Sequence, residues 1–179
     1  MATDPQLAHD IDACCRLSGE FTLRSGQVAS EYFDKYLFES DPSLLARVTD
    51  QLVPLVPDDT ELLGGLELGG VPIVTMISAR TGRPALFVRK QAKTYGTCKL
   101  AEWPAVDGRR VTLVEDVITT GGAVRDATRA LRAAGAVVEV VVCAIDRSPA
   151  GTNPLVDVGL EVRAVLTKAE LDEARAGAR

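Results

Sequence analysis

Glu115 and Asp116 stand side by side in VTLVEDVITTGGAV, Val111 to Val124, a run that otherwise leans apolar until it reaches two adjacent threonines and two glycines. The Thr-Thr-Gly-Gly tetrad suits a phosphate monoester. Thr119 and Thr120 offer hydroxyls, and Gly121 and Gly122 permit a tight turn with close backbone approach. A helix starting there turns unpaired N–H groups toward the anion. Carboxylates repel phosphate, so Glu115 and Asp116 are better suited to accept hydrogen bonds from neutral hydroxyls. A ribose attached to the phosphate supplies them. The stretch therefore reads as a ribose 5-phosphate cradle, to which Val117, Ile118 and Ala123 contribute as neighbours of the polar groups. It lacks the lysine of a Walker loop and the spacing of a dinucleotide fingerprint. The structural alternative is an acidic pair that only caps a sheet and a tetrad that only starts a helix.

Charge along the chain points the same way. The formal charge of −5 argues against general nucleic-acid binding, yet no acidic residue lies between Glu67 and Glu102. That interval holds Arg80, Arg83, Arg89, Lys90, Lys93 and Lys99, which suggests a local site for a highly anionic ligand, the alternative being a solvated basic face. His9 is the one histidine, so neither a histidine metal site nor a histidine triad can be assembled. Cys14 and Cys15 are adjacent while Cys98 and Cys143 stand apart, which gives no disulfide framework. No apolar run is long enough to span a membrane and the start MATDPQLAHD has no signal-peptide pattern, so a cytoplasmic location is expected.

These residues need a scaffold, and the pattern supplies one α/β unit. With 179 residues, 46% of them hydrophobic, one domain is expected: an N-terminal piece over about 1–40 and an α/β core over about 41–179. Helices are expected over Pro5 to Leu17 and Pro42 to Val56, with short strands between them through GEFTLRSGQVASEYFDKYLF. After Pro57 the order becomes strand, glycine loop, helix, strand, with Gly82 and Pro84 ending the helix. RRVTLV, AVRDATRALRAAG and AVVEVVVCAI form a βαβ unit whose strands should be parallel and buried. Ligands of such sheets sit beyond the carboxyl ends of the strands. There stand Arg89 and Lys90, Glu115 and Asp116, and Asp146 and Arg147. A last strand, LEVRAVL, leads to Thr167 and Glu170 as the capping box of a final helix.

VTLVEDVITTGGAV resembles the signature by which type I phosphoribosyltransferases bind 5-phosphoribosyl 1-diphosphate. FTLRSGQVASEYFD, LLGGLELGGVPIV, FVRKQAKTYGTCKLAE and AIDR are together similar to the orotate phosphoribosyltransferases, over about Phe21 to Arg147. The resemblance implies the type I phosphoribosyltransferase fold, a central parallel sheet flanked by helices with a small N-terminal hood. It implies transfer of ribose 5-phosphate to orotate with Mg2+, giving orotidine 5-monophosphate and diphosphate in pyrimidine synthesis. Arg89, Lys90 and Lys93 would bind the diphosphate, with Lys93 and Asp116 catalytic. Cations that stabilise a departing diphosphate favour a transition state of oxocarbenium character over the ground state. Glu115 and Asp116 would hold the ribose hydroxyls, and Thr120 would lie near orotate. Arg147 would take the orotate carboxylate, its alternative being a surface pair with Asp146, and Arg24 is a second candidate. The metal would be held by ligand oxygens and water rather than by a protein cage.

Three positions depart from other members. Tyr95 stands where some have histidine and would contribute a hydrogen bond. Gly69 and Gly70 lack the preceding lysine and would contribute backbone only. Trp103 replaces a more usual glycine in a stretch expected to be a loop that closes over the site, or else is packed in the core. The family also implies a twofold dimer in which the loop lysine enters the neighbouring site. Two rivals share the cradle: a purine-base phosphoribosyltransferase, and a non-catalytic relative that senses the diphosphate sugar.

Overall fold

The structure, a computed structural model, describes residues 5–22, 26–89, 101–102 and 105–177. Arg24, Lys90, Lys93, Tyr95, Cys98, Lys99 and Trp103 lie outside the described residues, so the expectations placed on them rest on sequence.

The chain opens with helix α1 (Pro5–Cys15) and a hairpin of β1 (Arg16–Thr22) and β2 (Val28–Phe33), followed by the short α2 (Tyr36–Ser40) and α3 (Pro42–Leu52). Then come β3 (Leu62–Leu66), α4 (Gly70–Thr81), β4 (Ala85–Val88), β5 (Ala101–Glu102), β6 (Val111–Ile118), α5 (Gly122–Ala133), β7 (Val140–Asp146), β8 (Glu161–Thr167) and α6 (Lys168–Gly177). The main sheet has the order β5-β4-β3-β6-β7-β8, parallel except for β5 at one edge. Strands β6 and β7 are buried on both faces because helices cover both, and each side has its own apolar cluster. Ile73, Val74 and Ile77 of α4 cover one face with α1, α3 and α6, while Val124, Ala127 and Leu131 of α5 cover the other.

Local chemistry explains the element ends. Asp41 caps α3, accepting from the N–H groups of Ser43 and Leu44 at 2.8 and 2.9 Å, with Pro42 in the first turn where its missing N–H costs nothing. Thr167 and Glu170 form the expected capping box, the Thr167 N–H donating to Glu170 at 2.7 Å and the Glu170 N–H to Thr167 Oγ1 at 3.2 Å. Gly82 stops α4, its N–H donating to Ser78 O at 2.9 Å.

Several sequence expectations change. The helix over Pro42 to Val56 ends at Leu52 and tightens into a 3₁₀ turn, Val53–Leu55, at Pro54, which has no N–H to continue the α ladder. The first helix ends at Cys15, and Arg16 and Leu17 already pair with Phe33 and Tyr32 in the hairpin. Strand alternation also stops at Phe33. The Asp34 side chain accepts the N–H of Tyr36 at 3.1 Å, and the chain turns into α2 rather than a further strand. Helix α1 packs on α6, and Leu7, Ile11 and Cys15 join the same apolar cluster as Val142 and Leu171. Glu31 of the hairpin pairs with Arg175 of α6, with one contact at 2.9 Å.

Candidate active site

Strand β6 ends at Ile118, three residues before the left-handed turn at Gly121, so Glu115 and Asp116 lie inside the strand and not in the loop after it. Eight residues form the strand because Val117 and Ile118 keep pairing with Ile145 and Asp146 of β7. Both carboxylates are buried, Glu115 with 7% and Asp116 with none of its surface exposed. Neighbouring strand residues face opposite sides of a sheet, yet the two carboxylates remain close enough to act on each other.

Asp116 faces α2 and the start of α4. Its Oδ1 accepts the N–H of Val117 at 2.5 Å, and its Oδ2 forms an ion pair with Lys35 Nζ. Glu39, also buried, brings an Oε1 with no hydrogen-bond partner to the same place. Gly69 closes the group from the third side: a Cβ there would stand 1.7 Å from Asp116 Oδ2 and 2.6 Å from Glu39 Oε1. Only a hydrogen atom fits in that space, which is why this position carries no side chain. Glu115 accepts the N–H of Asp116 at 3.0 Å.

Burial and crowding set the ionisation of this group. Burial, followed by the neighbouring Asp116, pushes the Glu39 carboxyl up to about 8 and raises Glu115 well above the usual carboxylate range. For Asp116 burial also works upward, but Glu115, Glu39 and Lys35 outweigh it and hold it below the ordinary value. Burial opposes the Lys35 charge and contact with Asp116 outweighs that too, leaving Lys35 above the lysine range.

Beyond the carboxylates the cradle is open. Thr119, Thr120, Gly122 and Ala123 are exposed, and Gly121 is buried against Leu155 with φ of +70°, a conformation costly for any residue with a Cβ. Helix α5 begins at Gly122 with no side-chain cap, so its first N–H groups face outward unpaired by the helix. That is the arrangement a phosphate needs. The N–H of Arg147, just past β7, donates to Ile118 O at 2.7 Å and draws the two strand ends together. Its guanidinium lies over the Phe33 ring at 5.3 Å, while Asp146 accepts from the Ser148 N–H at 2.9 Å; Asp146 thus caps its own turn and the surface pair with Arg147 does not form. Beside Arg147 opens a cleft of about 520 Å³ that includes Ser148, Thr152, Thr167 and Lys168. Arg89 follows β4 and is half-buried at the same edge of the sheet.

The cationic interval divides. Arg80 pairs with Asp50 at 2.5 Å, and Arg83 donates to the carbonyls of Thr60 and Asp58 at 3.0 Å each, so both brace the opposite end of α4 and leave the ligand edge. Lys35 and Glu39 are the site residues that the sequence pattern concealed. Their spacing of four places them on one helical face, a signal lost when their segment is read as a strand.

No protein-family model matches the chain. Among curated proteins, orotate phosphoribosyltransferase of Nocardioides sp. is 78% identical over 175 residues, 98% of either chain. This chain belongs to the orotate phosphoribosyltransferase family. The family member from Methanocella arvoryzae is 40% identical over 86% of this chain and 87% of its own. Among solved structures, Mycobacterium tuberculosis orotate phosphoribosyltransferase in complex with Fe(III) dicitrate superposes with a TM-score of 0.80 at 34% identity, over 93% of this chain and 97% of that one. The fold is that of the type I phosphoribosyltransferases. An adenine phosphoribosyltransferase from Rhodothermus marinus shares it at 18% identity and a TM-score of 0.69, over 92% of this chain and 99% of that one.

Proposed function

We propose that this chain transfers ribose 5-phosphate from 5-phosphoribosyl 1-diphosphate to orotate, giving orotidine 5-monophosphate and diphosphate in pyrimidine synthesis. The observation that carries the reading is the open turn Thr119–Gly122 with Arg147 tied to the end of the same strand. A phosphate seated on the α5 N-terminus and a carboxylate at Arg147 are the two ends of such a reacting pair. A solved Mycobacterium tuberculosis orotate phosphoribosyltransferase holds 5-phospho-alpha-D-ribosyl 1-diphosphate and superposes at 31% identity with a TM-score of 0.75, over 94% of this chain and 98% of that one.

In this reading Thr119, Thr120 and the N–H groups around Gly121, Gly122 and Ala123 grip the 5-phosphate, with Val117 and Ile118 setting the turn. Glu115 and Asp116 accept from the ribose hydroxyls. Arg89, Lys90 and Lys93 draw charge from the diphosphate as its bond to the anomeric carbon breaks, Lys93 most in the transition state, with Tyr95 as a hydrogen-bonding neighbour. Orotate sits between Arg147, Thr120 and Arg24.

Magnesium, implied by the family, would neutralise diphosphate oxygens and so improve the leaving group. Asp116 is already paired with Lys35 and Glu115 with a backbone N–H, so the donor set suits an ion carried on ligand oxygens and water. The chain is one catalytic domain with a hood over about 1–40, held to the core by α1 and α6. A cytoplasmic location fits a small-molecule enzyme of which no described helix is long and apolar enough to cross a membrane.

The test is consumption of orotate, followed by its ultraviolet absorbance, with the diphosphate sugar and magnesium present. Turnover of adenine or hypoxanthine in place of orotate would establish the purine-base reading, and sugar binding without turnover the regulatory one. The reading extends to a twofold dimer with shared sites, in which mixing inactive Lys93→Ala and Asp116→Asn chains restores activity. A mixture that exchanges subunits and stays inactive refutes sharing.

A further inference from the structure

We infer that Lys35 and Glu39 are positioning residues for Asp116, forming with Gly69 a closed cluster that keeps this one carboxylate ionised and fixed while Glu39 holds a proton. The inference rests on the function proposed above and adds to it two residues, Glu39 of α2 and Lys35 just before it.

The geometry leaves little choice. Glu39 Oε1 and Asp116 Oδ2 are both fully enclosed without a hydrogen-bond partner, and both crowd the space of a single missing methyl at Gly69. Two carboxylate oxygens that close repel strongly if both are charged, and a shared proton turns the repulsion into a hydrogen bond. Glu39 as donor to Asp116 Oδ2 gives both atoms a hydrogen bond at once, beside the Lys35 ion pair. The cation is Lys35, the residue that caps the start of α2 one turn before Glu39, in contact with Asp116.

The groups facing the cluster can be counted by element. Glu39 comes from α2 and Lys35 from the residue just before it, Asp34 and Tyr36 flank Lys35, and Asp116 and Glu115 come from β6. The N-terminus of α4 at Gly69 and Gly70 presents N–H groups. Among the described residues, protons on Glu39 and Glu115 leave Asp116 balanced by Lys35 inside the enclosed group, with Asp34 acting on it from outside. The directions of the ionisation shifts agree: Glu39 and Glu115 raised, with burial the first cause, and Asp116 lowered because its neighbours outweigh burial. Asp116 is thereby an anionic acceptor, the form that makes the stronger bond to a ribose hydroxyl and favours positive charge developing on the sugar.

The experiment compares Glu39→Gln, Glu39→Ala and Lys35→Met. Glutamine keeps a neutral donor but cannot ionise, so it should restore most of the kcat/KM for the diphosphate sugar that alanine loses at neutral pH, a loss of about tenfold. Lys35→Met should lower kcat/KM for the sugar with little change in the KM for orotate. Unaltered protein should lose activity as pH rises through about 8, and Glu39→Gln should lack that loss. Equal kinetics for alanine and glutamine, or an unchanged alkaline limb in Glu39→Gln, would overturn the inference. A readout free of activity separates it from the function itself: a carbon-13 carboxyl resonance absent from Glu39→Gln should titrate near 8 in the folded, ligand-free protein. Titration in the ordinary glutamate range refutes the cluster even in an active enzyme. Absence of orotate turnover with the high titration intact refutes the proposed function instead.

Discussion

Replacing Gly69 by alanine tests the packing of the site most directly. The added Cβ would stand 1.7 Å from Asp116 Oδ2, 2.4 Å from Asp116 Cγ and 2.6 Å from Glu39 Oε1. Carbon and oxygen do not approach within about 3 Å without a bond, so something must move by more than an ångström. Asp116 is held by the Val117 N–H and by Lys35, and Glu39 is anchored on α2, whose Phe38 is fully buried. Overpacking of this kind costs about 1 to 3 kcal/mol, and partial separation of a buried carboxylate from its cation adds to it. We expect about 3 kcal/mol. For a chain of this size that lowers Tm by roughly 6 to 12 °C at fixed protein concentration. Gly122→Ala is the matched control, because its Cβ would meet nothing nearer than Thr120 Oγ1 at 4.0 Å. It should leave stability within about 1 kcal/mol while weakening the phosphate grip. Differential scanning calorimetry and urea titration read both. A Gly69→Ala protein melting within about 2 °C of the parent would refute the closed cluster as the reason for glycine there.

Three further outcomes follow from the site. Burial and the neighbouring Asp116 push Glu39 up to about 8 from an ordinary 4.5, so its contribution to stability is complete below the unfolded value and lost as pH rises through about 8. Unfolding free energy by urea should therefore decline over that interval, by at most a few kcal/mol, and Glu39→Gln should flatten the decline; an unchanged slope would contradict it. Lys93→Ala should reduce kcat far more than it raises either KM, and higher KM values at unchanged kcat would assign Lys93 to ground-state binding. Arg147→Ala should weaken orotate binding by calorimetry and leave the diphosphate sugar nearly unaffected, whereas equal weakening of both would make its stacking on Phe33 structural.

The sequence alone determined the βαβ unit around β6 and β7, because strands covered on both faces read as unbroken apolar runs and α5 carries its apolar residues at helical spacing. It also determined the turn into α5, since Thr-Thr-Gly-Gly between a strand and a helix has local conformational requirements that do not depend on the rest of the chain. Tertiary structure decided where β6 ends, for Glu115 and Asp116 look like loop residues until pairing with β7 carries the strand past them. It separated Arg80 and Arg83 from the ligand edge by giving them Asp50 and the carbonyls of Thr60 and Asp58, partners about thirty residues or fewer away in sequence that no local pattern assigns. It also brought Lys35 and Glu39 to Asp116 across some eighty residues of chain. Charge pairing in a buried space depends on which side chains share that space, and only the packed helices and sheet fix it.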